Sequence, residues 1–185
     1  MEDELIIDLF FARSEQAISE LAKKYGKLCH KLSYNILNNL QDAEECVNDA
    51  YLGTWNAIPP ERPDPLLAFL CKIVRNISIM RYHANTAIKR NGSYDVALDE
   101  LENCLASQRT VDAEMDEKEL IRAIEDFLEK LSAVNRVIFM RRYWFLDSYE
   151  EIARLTGISE KNVSVRLTRI RKQLRNYLEE RGIVI

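Results

Sequence analysis

The chain contains few residues that break helices, and this limits the folds open to it. Its 185 residues include only five glycines and four prolines, and all four prolines fall between Pro59 and Pro65. Elsewhere, apolar residues recur at three- and four-residue steps over long stretches, which predicts helices. The 47% hydrophobic content is enough to form real cores. We therefore expect an all-α protein.

Charge is distributed unevenly along the chain, although the net charge is only −4. Residues 61–94 carry six basic and two acidic groups, and residues 130–185 carry twelve basic and six acidic groups. Between them, residues 95–129 carry three basic and twelve acidic groups. Binding to phosphate requires local positive potential rather than a basic average. The two basic blocks are therefore candidates for nucleic-acid binding.

This charge pattern and the helical periodicity together predict two small helical domains joined by an acidic linker. We place the first domain at residues 1–85, the linker at 86–115 and the second domain at 116–185. One short ordered piece is expected in the linker, around residues 96–101.

Within the first domain, Asp42 is well placed to cap a helix that ends near Ile58. The prolines then form a rigid loop, because each fixes φ and removes a donor. A further helix is expected from about residue 66 to 82.

Several classes of protein do not fit this sequence. No apolar run is long enough to span a membrane, and the acidic start Met1–Glu4 is unlike a secretory leader, so we expect a cytoplasmic protein. The cysteines contain no CxxC pair, so buried free thiols are expected rather than a zinc site or disulfides. They are Cys29, Cys46, Cys71 and Cys104. We expect no metal and no cofactor.

The most informative stretch, residues 149–174, has the pattern of a helix, a turn and a second helix. In the first helix, Ile152, Ala153 and Leu155 are expected to face inward. Gly157 would end that helix, and Ser159 would cap the next one. This is the pattern of a helix-turn-helix.

The second helix of this motif has one apolar and one polar side. At 100° per residue, the inward side carries Val163, Leu167, Ile170, Leu174 and Leu178. The outward side carries Lys161, Val165, Thr168, Arg169 and Lys172, flanked by Asn162, Ser164, Arg166 and Arg171. Amides, hydroxyls and cations suit base edges in a major groove, and an exposed Val165 could contact a thymine methyl. The alternative is an amphipathic helix with a solvated basic face.

Three segments resemble a known family. Tyr149–Ala153 together with Asn162–Leu174 resembles sigma region 4 of the extracytoplasmic-function group. Asp42–Tyr51 with Trp55 resembles region 2.2, and Leu70–Asn76 resembles the stretch that reads the minus-ten element. The chain thus resembles a small bacterial RNA polymerase sigma factor over about residues 15–85 and 118–178.

The resemblance implies a role for each segment. Docking on the β′ clamp helices of core RNA polymerase would use Asp42, Glu44, Glu45, Asp49 and Trp55. Contact with the minus-ten strand would use Arg62, Lys72, Arg75, Asn76 and Arg81, with Asn76 helping to hold a flipped base. The outward side and flanks of the second helix would read the minus-thirty-five element. Candidate phosphate contacts are Arg141, Arg142 and Arg171.

Further partners follow from the same resemblance, namely the β flap of the polymerase and an anti-sigma factor. The acidic linker could lie in the RNA-exit path of the polymerase. Leu131-Ser132 departs from the Leu-Pro that often opens region 4, so the start of that helix is expected to be less rigid. Such departures bear on promoter specificity more than on family membership.

Other functions remain open at this point. A stand-alone helix-turn-helix regulator would bind duplex DNA as a dimer, whereas a sigma factor acts as one copy per polymerase. A sigma-like adaptor would bind polymerase without reading promoters. An enzyme is not expected, because the sequence has no phosphate-cradling glycine loop, metal-ligand cluster or nucleophile–base signature.

Overall fold

The structure is a computed structural model, and it describes residues 1–85, 93–105 and 117–183. Every regular element within these ranges is an α-helix, so the prediction of an all-α protein is confirmed. The chain divides into two compact units, Met1–Tyr94 and Asp95–Ile185.

The predicted linker is described only in part, since its residues 86–92 and 106–115 lie outside the described ranges. The part that is described belongs to a helix, α5, which runs from Ser93 to Leu105 and includes the piece expected around 96–101.

The first unit contains α1 (Asp3–Phe11), α2 (Gln16–Leu37), α3 (Leu40–Ala57) and α4 (Leu66–Asn85). Helices α2, α3 and α4 pack against one another, and α1 packs on α2. The core of this unit includes the fully buried side chains of Ile6, Phe10, Leu21, Leu32, Ile36, Leu66 and Leu70.

A glycine allows α2 and α3 to approach closely. Helix α2 continues without a break through Gly26, which is buried. A Cβ atom at this position would lie 3.2 Å from the hydroxyl oxygen of Tyr51 on α3. Any larger residue at position 26 must therefore displace Tyr51.

The start of α3 differs from the prediction that Asp42 caps it. Asn38 adopts the left-handed conformation (φ 50°), which ends α2, and Asn39 is the N-cap of α3. The Asn39 side chain accepts hydrogen bonds from the backbone N–H groups of Gln41 (2.9 Å) and Asp42 (3.1 Å). Because α3 begins earlier than expected, Asp42 lies in its first turn and its carboxylate is free of the capping role.

The second unit contains most of α5, followed by α6 (Glu117–Lys130), α7 (Ala133–Tyr143), α8 (Tyr149–Thr156) and α9 (Glu160–Glu180). Helix α9 packs against α6, α7 and α8. The largest fully buried side chains of this unit are Ile138, Ile152, Leu167 and Ile170. Ser132 is the N-cap of α7 and accepts a hydrogen bond from the Asn135 N–H at 3.4 Å, so a side-chain cap begins this helix.

The cysteines in described positions are buried free thiols, as predicted for Cys29, Cys46 and Cys71. Burial raises the pKa of Cys29 to about 12 and that of Cys71 to about 11. The side chain of Cys104 lies outside the described residues. In the described ranges, no helix combines the length and apolar character needed to cross a membrane.

Candidate nucleic-acid interface

Helices α8 and α9 form a helix-turn-helix, and capping residues end the first helix and begin the second. Gly157 ends α8 in the left-handed conformation (φ 69°), and its N–H donates to the carbonyl oxygen of Ala153. Ser159 is the N-cap of α9, with its side chain accepting from the N–H of Asn162. Both capping predictions are confirmed. The entry to α8 is fixed by a capping box in which Ser148 and Glu151 bond reciprocally.

The inward face of α8 is narrower than predicted. Ile152 is fully buried, but Ala153 is only half-buried and Leu155 is 57% exposed. Helix α8 has eight residues, and it packs on α7 and α9 with the side that carries Ile152. Because the neighbouring helices cover only the side of this short helix that carries Ile152, the expectation that Leu155 faces inward is wrong.

Helix α9 has the two faces that the periodicity predicts. All five residues assigned to its inward side are buried: Val163, Leu167, Ile170, Leu174 and Leu178. On the opposite side, the exposed residues are Lys161, Asn162, Val165, Thr168, Arg169 and Lys172. Val165 is 40% exposed, at the centre of this polar and cationic surface. The surface offers donors and acceptors around one apolar group, and groups of these kinds are able to contact base edges in a major groove.

Two flanking residues of α9 are partly covered. Arg166 is half-buried, and its Nη1 donates to the Asn135 side-chain oxygen on α7 at 2.9 Å. Ser164 is also half-buried, and its carbonyl oxygen accepts from the Thr168 hydroxyl at 3.0 Å. The guanidinium of Arg166 is thus held by the scaffold before any ligand binds.

One carboxylate of α5 lies among the cations predicted to contact phosphate. Glu100 accepts two hydrogen bonds from Arg142, at 2.6 Å from Nη2 to Oε1 and 3.1 Å from Nε to Oε2. Arg142 is 6% exposed, and its Nη1 also donates to the carbonyl oxygen of Asp147 at 3.1 Å. Arg142 is therefore buried inside the unit instead of being presented to solvent.

The same carboxylate has three more donors around it. Arg171 Nη1 lies 3.2 Å from Glu100 Oε2, and the hydroxyls of Tyr143 and Tyr149 donate to the carboxylate at 3.2 Å and 3.1 Å. Arg171 Nη1 also donates to the Tyr143 hydroxyl at 2.7 Å. Two guanidinium groups and two phenols thus surround one carboxylate; we call Arg142, Tyr143, Tyr149 and Arg171 the oxyanion cluster.

The electrostatics of the oxyanion cluster favour a bound anion. Burial alone would raise the pKa of Glu100, but the hydrogen bonds and charge of Arg142, with Tyr149 and Arg171, outweigh it and hold the pKa below its ordinary value. Burial raises the pKa of Tyr143, so its hydroxyl remains a donor at neutral pH. Every polar group of the cluster that faces Glu100 is therefore a donor.

Arg141 pairs with a different carboxylate, that of Asp147. Its Nη2 forms an ion pair with Asp147, which is fully buried, and its guanidinium lies 4.8 Å from the centre of the Phe145 ring. This arrangement ties the end of α7 to the turn before α8. All three predicted phosphate contacts have an acidic partner in the structure: Asp147 for Arg141, and Glu100 for both Arg142 and Arg171.

In the first unit, α4 brings together most of the residues predicted to meet the minus-ten strand. Lys72 and Asn76 are exposed one turn apart, and Arg75 between them is half-buried. Burial lowers the pKa of Arg75. Arg62, in the proline loop, forms an ion pair with Asp8 at 2.7 Å. A groove of about 470 Å³ runs along this end of α4, and its lining includes Arg62, Phe69 and Lys72.

Arg81 does not join this surface. It lies nine residues after Lys72, which is half a turn out of phase on a helix with 100° per residue. Its guanidinium instead lies 3.1 Å from Glu45 and 3.5 Å from Asp42, both on α3. The structure therefore groups Arg81 with residues predicted to bind polymerase.

Comparison with known proteins bears on both units. The family model described as "Sigma-70 region 2" matches residues 21–88, and that described as "Sigma-70, region 4" matches residues 121–174. Together they cover about two thirds of the chain. The chain belongs to the sigma-70 family.

Its matched regions, 2 and 4, are the pair predicted for sigma factors of the extracytoplasmic-function type, so the predicted family is confirmed. Members of this family are transcription initiation factors that bind RNA polymerase and promoter DNA. Among solved structures, the chain is similar to CnrH in complex with the cytosolic domain of CnrY, at 21% sequence identity and a TM-score of 0.45. That similarity covers 96% of this chain and 97% of the other. No curated protein matches the sequence closely enough to count as a relative.

In this sigma-70 family protein, the five predicted polymerase contacts lie along α3 but have different neighbours. Glu44 and Asp49 are exposed, and Asp42 and Glu45 lie beside Arg81. Trp55 is half-buried near α1, with its ring 6.0 Å from that of Phe10. The Arg13 guanidinium stacks over Trp55 at 5.3 Å and donates to its carbonyl oxygen at 2.6 Å.

Several residues that organise this region 4 were not predicted from the sequence. Glu100 was assigned only to an acidic linker, and Tyr143, Tyr149 and Asp147 were given no role. The signal for Glu100 was the short ordered piece expected around residues 96–101, because order in an otherwise polar segment implies a partner. In the described part of the chain, no group of His, Cys, Asp or Glu could hold a metal ion.

Proposed function

We propose that this protein binds core RNA polymerase, recognises promoter DNA with both of its units and assists strand separation at the start of transcription. The observation that carries the proposal is α9: a capped helix with a fully apolar buried side and an exposed side of cations and amides around Val165. In this position the Val165 side chain could contact a thymine methyl group, while the cations and amides around it contact base edges and phosphates.

The second domain, for which we propose the limits 116–185 within the second unit, would read the minus-thirty-five element as duplex. Lys161, Asn162, Val165 and Arg169 are exposed together and would reach base edges in the major groove. Thr168 and Lys172 continue the same side toward the backbone. Arg166 and Ser164, at the margin, would position the helix.

The first domain, for which we propose the limits 1–85 within the first unit, would meet the minus-ten element as a single strand. Asn76 and Lys72 are exposed on one side of α4, near the groove that the proline loop lines. Extruding a base costs a few kcal/mol, so a preformed polar surface has to offset the lost stacking. Promoter melting would then follow from binding energy, with no hydrolysis by this chain.

The exposed acids of α3 would dock on the β′ clamp helices, since they suit a basic partner surface. The β flap would contact the second unit, the acidic linker at 86–115 would lie in the RNA-exit path, and an anti-sigma factor would hold the free protein. Because polymerase and promoters are cytoplasmic in bacteria, we propose the same location for this protein.

The test is run-off transcription with purified core polymerase on a randomised promoter library, with and without the protein. Transcripts from templates that share two spaced elements are the expected result. Binding to core without transcripts would favour an adaptor. Binding to duplex DNA alone, as a dimer, would favour a stand-alone regulator.

The role of α9 can be tested in the same reaction. Arg169→Gln and Val165→Ser should change the upstream element that the library selects, because both side chains lie on the exposed face. Arg122→Gln removes the same charge from an exposed position on α6 and is the matched control. If all three variants select the same element as the wild type, α9 does not read bases.

A further inference from the structure

The oxyanion cluster is a site for a single anion, and a side chain of this chain fills it. Among the described residues, five hydrogen bonds to Glu100 come from donors of α7, α8 and α9 that converge on its two carboxylate oxygens. Two guanidinium groups face one carboxylate, so the cluster keeps an excess of one positive charge when Glu100 is bound. It is therefore suited to an anion with two adjacent acceptor oxygens.

A phosphodiester has this chemistry. It carries one negative charge on two non-bridging oxygens, as a carboxylate does, and Arg binds both groups through paired N–H donors. The phenol hydroxyls of Tyr143 and Tyr149 can donate to either group.

The position of the cluster also fits nucleic acid. Arg171 lies on α9 beside Thr168 and Lys172, which belong to the exposed side proposed to face DNA. A groove of about 560 Å³ begins at Glu100 and follows α9, with Arg171, Lys172 and Arg175 in its lining. The lining also includes Glu179, which is ion-paired with Arg175 at 2.9 Å, so Arg171 and Lys172 are the cations of this groove nearest to the proposed DNA-facing side.

We infer that Glu100 is a built-in competitor of DNA: its carboxylate occupies a phosphate site made by Arg142, Tyr143, Tyr149 and Arg171, and backbone phosphate binds there when α5 moves away. This inference rests on the proposed function, since it assumes that the second unit binds duplex. Phosphate and Glu100 cannot share the cluster, because two like charges would then lie within hydrogen-bond distance of the same donors. The device keeps the free protein from binding DNA indiscriminately through its backbone-contacting cations.

The test measures binding of the full chain to a fluorescent random-sequence duplex by anisotropy, over salt concentrations from about 50 to 200 mM. Glu100→Gln should bind at least about three-fold more tightly than the wild type, with a salt slope steeper by about one, because one more phosphate contact becomes available. Glu102→Gln is the matched control. It removes the same charge from an exposed residue of the same helix and should change affinity much less.

A purely structural role for Glu100 predicts the opposite sign. Removing the partner of the buried Arg142 would then loosen the unit and weaken DNA binding. Weaker binding by Glu100→Gln, or a gain equal to that of Glu102→Gln, would overturn the inference. The gain should also disappear in the double variant Glu100→Gln/Arg171→Gln, and its persistence there would count equally against the proposed site.

Hydrogen exchange tests the inference on the wild-type protein, so the result does not depend on how a substitution affects folding. Amides of α5 should exchange faster when duplex is added, and unchanged protection would overturn the inference. Run-off transcription separates the two proposals. If the wild type directs transcription while Glu100→Gln behaves as Glu102→Gln does, only the competitor role fails; if the wild type neither binds duplex nor directs transcription, both fail.

Discussion

Arg81 Nη2 lies 3.1 Å from Glu45 Oε2, so the end of α4 is ion-paired to α3. The Asp42 carboxylate is 3.5 Å from the same guanidinium and accepts a hydrogen bond from Asn85 at 3.0 Å. A cation expected at the minus-ten strand therefore neutralises part of the acidic surface proposed to bind polymerase. Its contribution to stability is small, about 0–1 kcal/mol, because both partners are partly exposed.

Replacing Arg81 should therefore affect promoter opening less than replacing Lys72. Lys72 is exposed on the side of α4 proposed to meet single-stranded DNA, whereas Arg81 is committed to α3. We expect Lys72→Gln to lower the yield of competitor-resistant open complexes by several-fold, about the effect of one phosphate contact, and Arg81→Gln to lower it by less than two-fold. Holoenzyme reconstituted with each variant provides the measurement. Equal losses would place Arg81 on the DNA surface after all.

Because α2 and α3 approach closely at Gly26, the effect of a substitution there on stability should depend on Tyr51. Alanine has a higher helix propensity than glycine by about 1 kcal/mol, but its Cβ would stand 3.2 Å from the Tyr51 hydroxyl oxygen. We expect Gly26→Ala to be neutral or destabilising in the wild-type protein. In a Tyr51→Phe background the same change should stabilise by about 0.5–1 kcal/mol, because no other atom lies within 4 Å of the new methyl group.

In a Trp144→Phe background, Trp55 is the remaining tryptophan. Urea denaturation followed by its fluorescence then measures the first unit without further change, with each single substitution and with both. Gly26→Ala should be more favourable when combined with Tyr51→Phe than alone. If the change has the same effect in both backgrounds, the close contact does not limit this position.

The turn of the helix-turn-helix depends on the backbone conformation of Gly157. Its φ of 69° is left-handed, and a Cβ there would meet nothing within 4 Å, so the cost of a side chain comes from the backbone alone. We expect Gly157→Ala to destabilise the second unit by about 1 kcal/mol and Gly157→Asn by less, since asparagine tolerates this conformation. Urea denaturation followed by Trp144 fluorescence in a Trp55→Phe background measures this loss of stability.

Gly182 is the control, because it has a similar φ of 71° but lies beyond the end of α9. Gly182→Ala should have a smaller effect on the global midpoint, since Gly182 follows α9 and does not lie in the turn between α8 and α9. A larger loss from Gly182→Ala than from Gly157→Ala would contradict this assignment.

The stability that Glu100 contributes should depend on pH. Its pKa is lowered from an ordinary value of 4.5, so the charged form stabilises the folded unit. That contribution is fully present above about pH 4.5 and is lost as the pH falls through the lowered, folded-state pKa. The difference in urea midpoint between the wild type and Glu100→Gln should therefore be largest near neutral pH and shrink below about pH 4.5.

Glu102→Gln controls for the general effect of net charge in this series. A difference between the wild type and Glu100→Gln that stays constant down to strongly acidic pH would show that the charge of Glu100 is not what stabilises the unit.

Local rules account for what was predicted correctly. The buried stripe of α9 follows from a fixed 100° step, and the roles of Gly157 and Ser159 follow from backbone conformation and the reach of a short hydroxyl side chain. The same local reasoning misplaced the cap of α3, because Asn39 and Asp42 are both good capping residues. The choice between them is made by where α2 ends, at Asn38.

Contacts between residues distant in the chain account for what was not predicted. Glu100 is separated from Arg142 by 42 positions and from Arg171 by 71, so no periodicity connects them. The apolar periodicity predicted that Leu155 faces inward, but the neighbouring helices cover only the side of α8 that carries Ile152.

The sequence by itself determined that the chain is helical, which side of α9 is apolar, and that the family is sigma-70, because these depend on spacing and residue type along a continuous segment. Only the tertiary structure decided which charges meet. Electrostatic partners are chosen by distance in space, and the packing of the helices places Arg142 and Arg171 around Glu100 and turns Arg81 toward Glu45.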